Sequence, residues 1–259
     1  MNKRHRVQFP KNELSDSDQD ESYFYLHGTS KKRKIKFHDY DEIYQVPGLY
    51  EQIFYDRLKC ISPNKVTSIL ESAIKQSSDN FTELRVLDLG AGNGMMGEEL
   101  KKHGVSRLVG VDIIPEAYDA LIRDRPGVYD AYYVEDFCAL IEEKKEEIES
   151  WQCDCMVTVA ALGFGDIPTK AFVNAFNIIS NEGWVAFNIK DTFLDSSDET
   201  GFSKLIRELI FSKYLDVYHI ERYRHRLSVD GEPLHYFAVV GRKNAAISSE
   251  FIESKGIVF

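Results

Sequence analysis

The run Asp88-Leu89-Gly90-Ala91-Gly92-Asn93-Gly94 joins an apolar stretch, Val86-Leu87, to a helical pattern that starts near Met95. Glycines at such a junction permit positive φ and let a ligand approach the backbone, while the first N–H groups of the helix remain open to an anion. Two more carboxylates end later apolar runs. Asp112 closes Leu108-Val109-Gly110-Val111, and Asp136 stands beside Phe137 after a third run. The first can accept two ribose hydroxyls, and the Asp-Phe pair can bond an adenine amine and cover its ring; Asp136 can equally cap the helix that follows.

Three ligands compete for this loop. A triphosphate needs Lys and Ser/Thr after the second glycine of GxxxxG, but Gly92 and Gly97 are followed by Glu98 and Glu99, which would repel it. A dinucleotide fingerprint wants a third glycine where Met95 stands. S-adenosylmethionine (SAM) has a sulfonium, an ammonium and a carboxylate but no phosphate. For SAM, Asp88 orients the loop or meets the ammonium, and the amides past Gly90 receive the carboxylate. This reading fits the residues best.

The elements that must hold these groups alternate. Strands are expected near 85–89, 107–112, 131–135, 153–159 and 183–190, with helices near 94–103, 115–123, 137–149 and 169–180, the mark of a parallel sheet. A helix near 201–213 and two aromatic-rich runs separated by Asp230-Gly231 then predict an antiparallel hairpin. Upstream, Leu49, Ile53, Phe54 and Leu58 repeat at helical spacing, and Ser62-Pro63 reads as an N-cap and first turn of a second helix. The expected organisation is a flexible or loosely packed arm (1–36), a helical cover (37–80), the SAM-binding domain (81–243) and a tail (244–259). Within the arm, acidic Asp16, Asp18, Asp20 and Glu21 precede the basic run Lys31–Lys36; Tyr23–Leu26 could pack as a strand.

Of 259 residues, 43% are hydrophobic and 29% charged, enough for a sizeable core. The net charge of −10 disfavours a polyanion, so nucleic acid is not expected as a partner. Apolar runs are far shorter than the roughly 20 residues that span a bilayer, so no membrane partner is expected. The basic, polar opening and four cysteines predict a reducing, cytoplasmic setting. Cys153 and Cys155, on one face if the strand alternates, read as core thiols, and no metal is expected.

Asp88–Gly94, Val109-Gly-Val-Asp112, Glu135-Asp-Phe137 and Glu182–Asn188 resemble the class I SAM-dependent methyltransferases in order and spacing, from about residue 40 to 242. Arg125-Pro-Gly-Val-Tyr129, Ala160–Gly163 and Ile167-Pro168 look more narrowly like the Williams-Beuren region methyltransferase-like proteins. The resemblance implies a Rossmann-like α/β fold with a seven-stranded sheet of order 3-2-1-4-5-7-6. It also implies Asp88, Gly90, Ala91 and Gly92 at the methionine part, Asp112 and Ile113 at the ribose, Asp136 and Phe137 at the adenine, and Ala160 and Leu162 beside the methyl group. The segment His38–Tyr44 resembles the lead-in that closes over SAM, with Tyr40 and Tyr44 as candidates; S-adenosylhomocysteine (SAH) would be the product.

The tip Ala160-Ala-Leu-Gly-Phe-Gly-Asp166 lacks the polar groups that grip a planar amide or nucleobase nitrogen, and suits a small organic acceptor. Candidate bases are His27, His38, Asp166, Asp191 and His225, with Asp191 and His38 carried forward. Arg222, Arg224, His225 and Arg226 read as a charged strand edge. The expected function is SAM-dependent methylation of a small-molecule O or N acceptor. The alternatives are a protein or RNA methyltransferase docked by Lys31–Lys36, and a SAM-fold module that binds without turnover.

Overall fold

A computed structural model describes residues 4–10, 22–28, 31–163, 166–194 and 201–257. The acidic residues of the arm, and Phe164 and Gly165 of the tip, lie outside them. Ten strands and nine α-helices are assigned among the described residues: β1 (Arg6–Gln8), β2 (Tyr23–His27), β3 (Lys32–Lys36), α1 (Tyr40–Tyr44), α2 (Leu49–Glu51), α3 (Ser62–Ile74), β4 (Arg85–Leu89), α4 (Met95–Lys102), β5 (Arg107–Asp112), α5 (Pro115–Asp124), β6 (Ala131–Val134), α6 (Glu142–Glu149), β7 (Cys155–Thr158), α7 (Thr169–Ile178), β8 (Trp184–Lys190), α8 (Phe202–Phe211), β9 (Leu215–Leu227), β10 (Pro233–Lys243) and α9 (Ser249–Lys255).

The main sheet runs β6-β5-β4-β7-β8-β10-β9, with β10 antiparallel to both neighbours and the remaining pairs parallel. This is the order 3-2-1-4-5-7-6 expected above. Each central strand is buried on both faces, which is why its sequence is a continuous apolar run. Leu87, Leu89, Val109 and Met156 pack on one side with Phe172, Phe176 and Leu205; Val86, Leu108, Cys155 and Val157 pack on the other with Leu70, Met96 and Trp184.

Four expectations change. The arm is not loose where it is described: β1, β2 and β3 pair as an antiparallel sheet, and Phe24, Leu26 and Ile35 share a core with Phe37, Ile43, Leu49 and Ile53. Period-two burial under a hairpin outweighs the local charge, while Lys32 and Lys34 stay on the outside over the rings of Tyr25 and Tyr23. The tail carries α9, seated through Ile252. The helix expected at 137–149 begins only at Glu142, because Asp136 Oδ1 accepts the Cys138 N–H at 2.7 Å and holds a turn there; Asp136 is no helix cap. Finally, β7 starts at Cys155, so alternation does not reach Cys153, and the two thiols enter opposite core layers.

The cover is built around a widened turn. After Leu49–Glu51 the helix continues as a π segment, Gln52–Arg57, which keeps Ile53, Phe54 and Leu58 in the core while Tyr50 and Tyr55 face the cleft described next.

Candidate functional site

At the carboxyl ends of β4, β5, β6 and β7, where open α/β sheets bind ligands, lies a cleft of about 210 Å³. One wall is the glycine loop. Gly90 and Gly92 hold φ of 75° and 53°, and a β-carbon on Gly90 would stand 2.9 Å from Ala161 Cβ. A β-carbon on Gly92 would stand 2.5 Å from the Tyr44 hydroxyl oxygen. The backbone here is bare because the space above it is already shared by Tyr44, which the cover brings down over the loop.

Asp112 lines the cleft at the end of β5. Its Oδ2 accepts the Gly92 N–H at 2.8 Å and its Oδ1 the Ile114 N–H at 3.0 Å. Burial raises its proton affinity, and these backbone bonds oppose that rise. With a further backbone bond from Ile113, a carboxylate's four acceptor sites still leave one for a hydroxyl. Ile113, Asp136, Phe137, Ala91 and Ala160 line the same cleft, with Ile113 exposed and Phe137 buried.

Two expected site residues fall elsewhere. Asp88 is 1% exposed and does not line the cleft, because strand alternation turns it to the α3–α4 side with Val86. There Tyr129 donates its hydroxyl to Asp88 Oδ2 at 2.6 Å, and Oδ1 is buried without a partner. Burial pushes this carboxyl up to about 7. Asp88 therefore braces the loop from beneath. Leu162 lies in a smaller neighbouring chamber.

The candidate bases also separate. Asp191 is ion-paired with Arg222 at 3.0 Å, away from the cleft lining, and His27 meets Gln8 at an exposed position. His38 and Asp166 come together: the His38 Nδ1 stands 3.0 Å from Asp166 Oδ2, and both line the cleft. They are 128 residues apart in sequence, so no local pattern could pair them. His225 is 4% exposed, in a network with Ser62, Tyr223 and Asn188. Ser62 thus uses its hydroxyl here rather than as a helix cap.

Other contributors had been given no role of their own. Tyr132 donates its hydroxyl to the Gly92 carbonyl at 2.9 Å. Glu51 Oε1 accepts from Asn93 Nδ2 at 2.8 Å and from Arg125 Nη1 at 2.7 Å, latching the cover to the loop. Asn188 Oδ1 accepts the Ala160 N–H at 2.7 Å, holding that residue at φ 60° on the tip of β7. A lone Asn within the apolar run Trp184–Ile189 was the available signal, since a buried amide must find partners.

A family model described as a methyltransferase domain matches residues 87–187. Protein arginine N-methyltransferase 1 of Saccharomyces cerevisiae is 30% identical over 84 residues, which cover 32% of this chain and 21% of that protein. The N-methyltransferase NodS of Bradyrhizobium japonicum WM9, solved with SAH, superposes with a TM-score of 0.54 at 13% identity, covering 80% of this chain and 97% of that one. Thermoplasma acidophilum 1320 superposes with a TM-score of 0.50 at 17% identity, covering 78% of this chain and 97% of that one. These matches do not reach the narrower Williams-Beuren resemblance. The sheet order, the glycine loop and the matched segment agree: residues 87–187 match a methyltransferase domain, set in a seven-stranded sheet of order 3-2-1-4-5-7-6.

Proposed function

We propose that this protein methylates a small organic acceptor at O or N, using SAM bound along the cleft. The observation that supports this reading is the aromatic roof: Tyr40, Tyr44, Tyr50 and Tyr55 line the cleft together with the His38–Asp166 pair. In this reading Gly90, Ala91 and Gly92 meet the methionine part, Asp112 and Ile113 the ribose, and Asp136 and Phe137 the adenine. Ala160 borders the methyl group. Asp88 acts through Tyr129 and the loop rather than by contact.

Bound SAM supplies a methyl carbon already activated by its sulfonium, so the chain's task is alignment and exclusion of water. The aromatic roof does the second. His38 adds proton transfer: Asp166, 3.0 Å from its Nδ1, orients the imidazole to take the acceptor's proton as the methyl bond forms.

The test is calorimetry with SAM and SAH, followed by transfer of a labelled methyl group from SAM into a cell extract split into small molecules and macromolecules. Label in the small-molecule fraction is expected, reduced about 10²–10⁴-fold by His38→Gln at unchanged SAH affinity. Label confined to protein or RNA would overturn the reading. The second reading, a macromolecular acceptor, draws on the exposed basic strand β3, and neutralising Lys32 and Lys34 would then reduce transfer.

A further inference from the structure

Beside the cleft lies a second chamber of about 30 Å³, sharing His38, Tyr40, Ala160 and Asp166 with it. A water needs roughly 10–15 Å³ on this measure, so the chamber holds a group of about two waters' size. Its far wall is His225 and Arg226, and both are buried, Arg226 with 6% exposure.

Their burial has a specific cause. Along β9, Tyr223 and His225 face inward by alternation, and Arg226 should face out. The register against β10 slips between Leu234, opposite Arg226, and His235, opposite Arg224, leaving His225 as the extra residue of a β-bulge. The bulge turns two consecutive side chains inward, which a regular strand cannot do.

The guanidinium is poorly compensated. Its hydrogen bond is to the Leu227 carbonyl at 2.9 Å, with Phe37 at 6.0 Å from its carbon, and among the described residues it has no ion pair with a carboxylate. Asp166, the carboxylate of this chamber, is engaged by His38. A buried arginine without a carboxylate carries an uncompensated desolvation cost. His225 offers a second donor: its Nδ1 lies 2.6 Å from the Ser62 hydroxyl, and Asn188 Nδ2 donates to both Ser62 Oγ and the Tyr223 hydroxyl. With Tyr223 donating to Ser62 and Ser62 donating to Nδ1, the ring proton stands on Nε2. Burial, then the Arg226 charge, pushes the imidazole well below the ordinary histidine range and keeps it neutral.

We propose that the bulge-presented pair Arg226 and His225 binds the carboxylate of the methyl acceptor, making the substrate a small carboxylic acid with an apolar body. The chamber's size favours a carboxylate, three heavy atoms, over a bulkier phosphate. The apolar body would lie in the larger cleft against Tyr40, with the accepting atom toward His38 and Ala160. The assignment rests on reading the larger cleft as the SAM site.

The test uses the full-length protein, saturated with SAH, titrated calorimetrically with benzoate, benzamide and phenylphosphonate. Benzoate is expected to bind at least tenfold more tightly than either of the others, and Arg226→Gln to erase that preference while SAH affinity stays within twofold. Arg222→Gln, on the exposed side of the same strand, should keep it. Equal binding of benzoate and benzamide to the wild-type protein, which needs no variant to fold, overturns the proposal, as does a preference retained in Arg226→Gln. Tighter phenylphosphonate binding overturns the carboxylate assignment. The same titrations without SAH separate the two readings: failure of SAH to bind removes the SAM site, while loss of the benzoate preference with SAH bound removes only the acceptor pocket.

Discussion

Asp112 Oδ2 accepts the Gly92 amide proton at 2.8 Å, so the carboxylate proposed to meet a ribose also holds the loop proposed to meet the methionine part. In the proposed function the two halves of the cofactor seat are therefore one mechanical unit. Removing the carboxylate therefore has two consequences, and they can be told apart.

Asp112→Ala is expected to weaken SAH binding by about 1–3 kcal/mol. Asp112→Asn keeps an oxygen for the Gly92 N–H and should recover part of that loss. Calorimetry on both variants checks this; equal affinity of Asp112→Ala and the wild-type chain would remove Asp112 from the seat.

Gly92→Ala meets the Tyr44 hydroxyl and a φ of 53° together. Strain from the positive φ costs roughly 1–2 kcal/mol, and the hydroxyl adds to it. Tyr44→Phe in the same chain should restore part of the SAH affinity lost by Gly92→Ala. Purely additive losses in this double-mutant cycle would show that Tyr44 does not close over the loop.

Asp88 carries a pH dependence. Its carboxyl is held at about 7 in the folded chain by burial, against about 3.9 unfolded. The folded state thus binds the extra proton between these values, so this group makes stability fall as pH rises from about 4 to 7, with the full cost above 7. Asp88→Asn, which still accepts from Tyr129, should gain on the wild-type chain by up to about 4 kcal/mol across that window. Denaturant unfolding at pH 5 and pH 8 measures it, and a difference that does not change with pH refutes the assignment.

Asn188→Leu should destabilise the chain by about 2–4 kcal/mol, because the Ala160 N–H loses its acceptor and Ser62 and Tyr223 lose a shared donor. The companion effect is on the tip: Ala160 loses the bond that holds its left-handed conformation. Hydrogen exchange at the Ala160 amide should accelerate more than exchange in β5, and equal protection in both would place the tip's order elsewhere.

Strand and helix limits were legible along much of the sheet because its strands are short apolar runs and its helices amphipathic. Burial of both sheet faces writes that alternation into the chain, and Asp230-Gly231 announced the antiparallel hairpin. The glycine loop and Asp112 were readable because positive φ and a strand-end carboxylate are local requirements. Contacts across long separations were not. His38 meets Asp166, Tyr44 covers Gly92, and Glu51 ties Asn93 to Arg125 only after the cover folds over the sheet. The direction of Asp88 depended on which sheet face lay under α4, and the inward turn of Arg226 on a bulge set by pairing with β10. Composition reported an acidic average, yet a field averaged over the chain says nothing of one guanidinium buried beside a cleft. Local stereochemistry is a property of neighbouring residues and survives in the sequence, whereas register, layer and cover bring together residues far apart in the chain and exist only in the folded molecule.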